Sequence, residues 1–224
     1  MRSLNVTRRK LLKASLAALG VIGLTRRSPG AFAAVEVKVP ESIPEVTVDF
    51  ATQNLASWTT VTGQWAVEDM AGAPGGRKVL VQRATRNEFN VIVSPAGPYT
   101  DVDVSMKFKP ISGREDASGG IVFRVADGRY YVVRANALES NFRLYYYDRG
   151  RHQLATASVA APALGRWHQL RVIAVGDRIQ AALDGAVLLN HRDRRFASGR
   201  IGLWTKADSV TAFTDLTIRG VAAR

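Results

Sequence analysis

The 224-residue sequence contains no cysteine, so no disulfide staples the chain and its stability has to come from a buried apolar core. Its three histidines, His152, His168 and His191, are far apart and lack metal-ligand spacing, which argues against zinc. The G-x-S-x-G elbow does not occur, and spacing alone specifies no Ser-His-Asp arrangement. Glycines in "PGGRK" (74–78) and "ADGR" (126–129) do not follow the strand-to-helix pattern of a phosphate loop and read as hairpin turns. Beyond the first 33 residues no segment carries a helical stripe. Acids are few: 19 against 31 Lys and Arg, for a net charge of +12.

Much of that charge sits at the start. "TRRKLLKASLAALGVIGL" (7–24) has a basic opening and an apolar run broken by Lys13, and "AFA" (31–33) supplies the small-x-small pattern of a cleavage site. Residues 1–33 are predicted to be an export signal, too short and too thinly apolar for a membrane anchor. Arg8 and Arg9, followed after Lys10 by Leu-Leu-Lys, resemble the twin-arginine signal, with Leu11 where Phe is preferred. Removing this segment takes away seven basic residues and no acid, lowering the net charge from +12 to about +5. The mature chain is therefore expected in the periplasm or outside the cell, with no nucleic-acid partner and no stable membrane insertion. Residues 34–45, polar and punctuated by proline, read as a linker.

From 46 to 224 the apolar pattern has period two. "DVDVSMKF" sets Val102, Val104, Met106 and Phe108 on one face against Asp101, Asp103, Ser105 and Lys107, the alternation of a half-buried antiparallel strand. "GGIVFRV", "YYVVRAN", "NFRLYYY", "HQLRVIAV", "RIQAALDG", "AVLLNH", "RIGLWT" and "VTAFTDLTI" repeat the theme between turn signals such as Asp127-Gly128 and Asp184-Gly185. With 46% hydrophobic residues, the chain suits one all-β domain, a sandwich or barrel.

The hairpin "YYVVRANALESNFRLYYY" (130–147) poses a problem. With "ALES" as a four-residue loop, Tyr131, Val133, Ala135, Phe142, Leu144 and Tyr146 face the core, and Arg134 stands opposite Arg143 on the outer face, between the pairs Asn136–Asn141 and Val132–Tyr145. A three-residue loop 126–128 would keep Ile121, Phe123 and Val125 on the core side and add Arg124 to the arginine face, whereas a two-residue turn would remove it. Like charges directly opposed destabilise. Either nearby acids such as Glu139 or Asp208 interleave with the guanidiniums, or a polar ligand supplies acceptors. Tyr rings beside Arg and Asn groups suit sugars, whose faces stack and whose hydroxyls hydrogen-bond.

In "GRIGLWTKADS" (199–209) Ile201 and Leu203 turn inward, leaving Trp204 outside as a stacking platform or as a tryptophan closing the rim, with Lys206, Asp208 and Ser209 following. "EDASGG" (115–120) offers oxygens for calcium, or is a solvated turn. "HRDRRF" (191–196) reads as a solvated loop. His168 shares the parity of Leu170 and Val172 and reads as a core histidine.

"GGIVFRVADGRYYVVRANALESNFRLYYYDRGR", "GRWHQLRVIAVGDRIQAALDGAVLL" and "GRIGLWTKADSVTAFTDLTI", in that order, resemble the concanavalin A-like exported domains grouped with 3-keto-disaccharide hydrolases. The resemblance implies a jelly-roll sandwich of two antiparallel sheets whose concave face or rim meets glycans, some members cleaving 3-keto-glycosides. The E-x-D-x-x-E acid pattern of laminarinase-type relatives is absent, which disfavours ordinary two-carboxylate hydrolysis. Elimination from a 3-keto sugar needs only a base near an acidified C–H, for which Glu139 or His168 are candidates. The expected site is thus Glu139 as base, with Arg134, Asn136, Asn141, Arg143 and Trp204 holding a carbohydrate and Arg124, Lys206 and Asp208 in support. A non-catalytic domain that docks protein or cell-wall polymer on the same face is the alternative.

Overall fold

The computed structural model describes residues 37–40 and 43–224. The proposed export signal lies outside the described residues. Of the proposed linker, Val37 and Val39 are buried, and the Val37 amide donates to Gln180 Oε1 at 3.1 Å. No helix among the described residues is long and apolar enough to cross a membrane.

Among the described residues, fifteen strands form two antiparallel sheets packed as a sandwich. They are β1 (Glu45–Val48), β2 (Thr59–Thr62), β3 (Trp65–Asp69), β4 (Lys78–Gln82), β5 (Phe89–Val93), β6 (Tyr99–Ser112), β7 (Ser118–Ala126) and β8 (Arg129–Asn136). The rest are β9 (Asn141–Tyr147), β10 (Arg151–Ser158), β11 (His168–Val175), β12 (Arg178–Leu183), β13 (Ala186–Arg192), β14 (Arg200–Lys206) and β15 (Val210–Ala222). One sheet runs β13-β12-β11-β6-β15-β4-β3, with β1 on β15, and the other runs β10-β9-β8-β7-β14-β5-β2. Neighbours from distant parts of the sequence, such as β6 beside β15 and β7 beside β14, give the jelly-roll sandwich that the period-two pattern and the resemblance led us to expect.

The alternation in β6 holds from Val102 to Pro110, and Val102, Val104, Met106 and Phe108 are fully buried. They meet Ile121, Tyr131, Val133, Leu144 and Leu203 from the opposite sheet. Full burial of each aliphatic or aromatic side chain contributes about 1.5–3 kcal/mol. Gly119 lets the sheets approach, since a Cβ there would lie 2.5 Å from the Phe108 ring.

One local expectation fails. The β7–β8 connection is a strict two-residue turn, Asp127-Gly128, both with positive φ (49° and 74°), as the right-handed twist of a hairpin favours. The extra residue is absorbed inside β7 as a bulge, with Arg124 at φ 52°. Ile121 and Phe123 stay in the core, while Val125 crosses to the outer face.

Candidate functional site

The outer face of the seven-stranded sheet is concave. Phe89 on β5 and Tyr147 on β9 are separated by β14, β7 and β8, about 19 Å on a flat sheet. Their ring centroids are nevertheless 5.9 Å apart, edge to face, so the sheet curls and its two sides meet over the middle. Within the hollow Val91, Val93, Val122, Tyr130, Val132, Tyr145 and Trp204 form an apolar cluster of their own.

β8 and β9 pair as the hairpin pattern requires, with Arg134 directly across from Arg143. Glu139, in the loop 137–140, folds back over them. Its Oε2 accepts from Arg134 Nη2 at 2.7 Å and Asn141 Nδ2 at 2.9 Å and lies 3.9 Å from Arg143 Nη1. Arg134 also donates to Asn141 Oδ1 at 2.7 Å, and both arginines reach the Tyr145 hydroxyl at 3.3 Å. Interleaved acid and amide groups therefore resolve the repulsion. Burial pushes the Glu139 carboxyl up, but the hydrogen bonds from Asn141 and Arg134 and the charges of both arginines outweigh it, holding it below the ordinary carboxylate value. All three of these contacts fall on Oε2; among the described residues Oε1 makes no hydrogen bond.

Trp204 lies on this face but is not an open platform. It is 0% exposed, stacked on Phe89 at 5.6 Å and roofed by the guanidinium of Arg151 at 5.9 Å. Gly120 makes the room: a Cβ there would stand 3.1 Å from Arg134 Cβ and 3.3 Å from Trp204 Cε3. Alternation sends Trp204 outward as expected, but the curl of the sheet covers it.

The covering residue, Arg151, did not emerge from the sequence. It opens β10, the edge strand paired with β9, and its guanidinium carbon sits 4.5 Å from the Tyr145 ring centroid and 5.2 Å from that of Phe89. "RHQLATAS" is a strand with only small and polar residues apart from Leu154, and a bulge between Gln153 and Ala155 breaks its period. The alternation that reveals other strands is therefore weak there.

The remaining candidates divide. Arg124 points to the end of the sandwich, 2% exposed, and donates to the carbonyls of Thr100 (2.9 and 3.1 Å), Gly176 (2.8 Å) and Phe196 (2.9 Å). It ties segments of both sheets together and does not join Arg134, because the bulge turns it away. Asn136 is fully buried: Oδ1 accepts from the amides of Ala117 and Leu138, and Nδ2 donates to Asp116 at 2.9 Å. Asp208 holds a loop, accepting from the amides of Arg114, Glu115 and Asp116 at 2.7, 3.0 and 3.0 Å. Burial raises its carboxyl, but these amides win and leave it lowered.

Lys206 lies 3.3 Å from Glu115 and 3.9 Å from Asp116. The loop considered for calcium thus meets Lys206 Nζ and turns amides toward Asp208. Among the described residues no three His, Cys, Asp or Glu side chains gather for a metal. His168, on the other sheet, bonds Asp184 Oδ2 at 2.8 Å beside the Phe108 ring.

An open groove of about 750 Å³ runs along one side of the hollow, lined by Phe89, Tyr130 and Tyr147 with Arg86, Asn87 and Glu88 from the β4–β5 loop. Tyr130 and Tyr147 stack at 5.0 Å. Burial raises the Tyr130 hydroxyl far above its ordinary value and keeps it protonated. Elsewhere in the hollow, Arg134 Nε, Arg143 Nε and Arg151 Nη1 are buried without a hydrogen-bond acceptor, while the Trp204 indole lies against the Tyr130 hydroxyl.

A two-sheet jelly roll with such a face is a β-sandwich of the carbohydrate-binding and glycosidase-like kind. Residues 45–219 match the model of the 3-keto-alpha-glucoside-1,2-lyase-like domain, and the chain belongs to that family. No curated protein matches the chain. Among solved structures, the carbohydrate binding module CBM66 from Bacillus subtilis superposes with a TM-score of 0.63 at 22% identity, over 73% of this chain and 96% of that one. A protein of unknown function with a galectin-like fold, also from Bacillus subtilis, gives 0.59 at 15%, over 76% and 92%. A glycosyl hydrolase, so described provisionally, from Parabacteroides distasonis gives 0.53 at 14%, over 77% and 92%. At these identities the likeness is one of fold.

Proposed function

We propose that this chain is an exported carbohydrate-active domain that binds a glycan in the concave face and cleaves 3-keto-glycosides by elimination, with Glu139 as base. The observation that carries the binding half is the open groove of about 750 Å³ that sets the rings of Phe89, Tyr130 and Tyr147 beside the polar side chains of Arg86, Asn87 and Glu88. Sugar hydroxyls bond to such polar groups while ring faces stack on Tyr and Phe.

The chemistry follows from Glu139. Its lowered pKa keeps it ionised at neutral pH, unsuited to the general acid that hydrolysis by two carboxylates requires. Asp116, raised chiefly by burial, is shut in by Asn136 and Ser209. An ionised but weak base needs an acidified C–H, and the carbon next to a 3-keto group provides one. Glu139 Oε1 takes the C2 proton, and the electron pair moves to the ketone oxygen, where Arg143 donates. The enolate then collapses, re-forming the ketone and expelling the C1 substituent as an alkoxide, which takes back the proton held on Glu139. C2–H and C1–O break and C1=C2 forms, without oxidant or metal in the balance.

A binding-only role has one observation in its favour, the saturation of Glu139 Oε2 by Arg134 and Asn141. Incubation with 3-keto-disaccharides, followed by carbon NMR, separates the two. Elimination predicts turnover that Glu139→Gln lowers at least about 100-fold while binding stays within a few-fold. Binding without turnover removes the enzyme half, and absence of binding to any glycan removes the whole proposal.

A further inference from the structure

Arg151 differs from the other arginines of the hollow. Arg134 has Glu139 at 2.7 Å, and Arg143 has Glu139 at 3.9 Å and the Tyr145 hydroxyl at 3.3 Å. Arg151 makes no ion pair and donates no side-chain hydrogen bond among the described residues, and its Nη1 is buried. Three aromatic rings, those of Tyr145, Phe89 and Trp204, lie within 6 Å of its guanidinium carbon. Ring faces attract the positive charge and hold the planar group in place, but they accept none of its N–H bonds. The fork is thereby set in position with its donors unused.

Its surroundings supply no acceptor for its Nη1. Arg151 touches Phe89 and pairs along the sheet with Tyr147, both of which line the groove. The charged residues of groove and hollow are four guanidiniums, on Arg86, Arg134, Arg143 and Arg151, against three carboxylates, on Glu88, Glu139 and the buried Asp116, whose charge acts on Arg134. Glu139 is taken by Arg134 and Arg143, and Glu88, which acts with Arg151 on the Tyr130 hydroxyl, makes no ion pair with either arginine of the groove side among the described residues. A neutral sugar would fill hydrogen bonds and leave the excess charge. A carboxylate does both, because its two oxygens match the guanidinium fork.

We infer that the glycan recognised in this hollow carries an acidic group, a uronic or other sugar carboxylate, which docks on Arg151 over the floor of Tyr145, Phe89 and Trp204. This rests on the carbohydrate reading of the same face and specifies its substrate class.

The experiment uses oligosaccharides of glucuronate, galacturonate and mannuronate, each beside its methyl ester, with affinity read by calorimetry. For at least one pair the acid is expected to bind about tenfold tighter than the ester or more, and added salt should shrink the difference. Arg151→Met should bring acid and ester within about twofold by weakening the acid alone. Arg151→Lys, with the charge but not the fork, should fall between. Equal binding of acid and ester by the wild type overturns the inference while leaving the carbohydrate reading intact, and that comparison needs no variant to fold. An undiminished preference in a folded Arg151→Met overturns the residue assignment. Failure of all acids, all esters and neutral glycans to bind overturns the carbohydrate reading, and this inference with it.

Discussion

Arg134 and Arg143 stand opposite each other on adjacent strands, and one carboxylate oxygen, Glu139 Oε2, lies 2.7 Å from the first guanidinium and 3.9 Å from the second. Arg134 is 3% exposed while Glu139 reaches solvent, so the acid carries the charge balance of a buried cation from the edge of the hollow.

Glu139→Gln should therefore cost about 1–2 kcal/mol in urea unfolding, less than a fully buried pair because the carboxylate is partly exposed. Adding Arg143→Gln should recover part of that loss, since one of two unneutralised charges goes. Strict additivity in this double-mutant cycle would contradict the shared-carboxylate account.

The pH dependence has a defined sign. Glu139 and Asp208 have folded values below their ordinary 4.5 and 3.8, so the stability they supply is present above those values and is lost as pH falls through the lower folded ones. Asp116 is raised, chiefly by burial, and acts oppositely: its contribution is full below its ordinary value and is withdrawn as pH rises through the folded one. The Glu139→Gln penalty should accordingly disappear in acid, as unfolding titrations from neutral pH downward would register.

Trp204→Ala should behave as a core truncation, costing about 3–5 kcal/mol. Tyr147→Ala, at the groove, should lower glycan affinity about tenfold or more at smaller cost to stability. Paired thermal melts and binding titrations distinguish the two, and a tryptophan variant that folds normally but loses only binding would contradict its covered position.

Arg124→Met should leave the carbonyls of Thr100, Gly176 and Phe196 without their shared donor and cost about 3 kcal/mol. Amide exchange should quicken around 100, 176 and 196, with glycan affinity unchanged once the variant is folded.

Asp208→Ala removes the acceptor of three successive amides. Faster exchange at Arg114, Glu115 and Asp116, with about 1–3 kcal/mol lost, is the expected outcome.

The sequence alone determined the all-β class, the inward sets of β8 and β9 and that of β6 from Val102 to Phe108, and the facing of Arg134 and Arg143, because strand pattern is local: a period of two and a four-residue loop fix which side chains share a face. It left Arg124 between two faces, since a bulge and a longer turn insert the same extra residue and only the packing of β14 against β7 chooses between them. The covering of Trp204 and the position of Arg151 belonged wholly to the tertiary structure. Both depend on the curvature that brings β5 and β10 together across four intervening strands, and the accumulated twist of a sheet is a property of all its strands together.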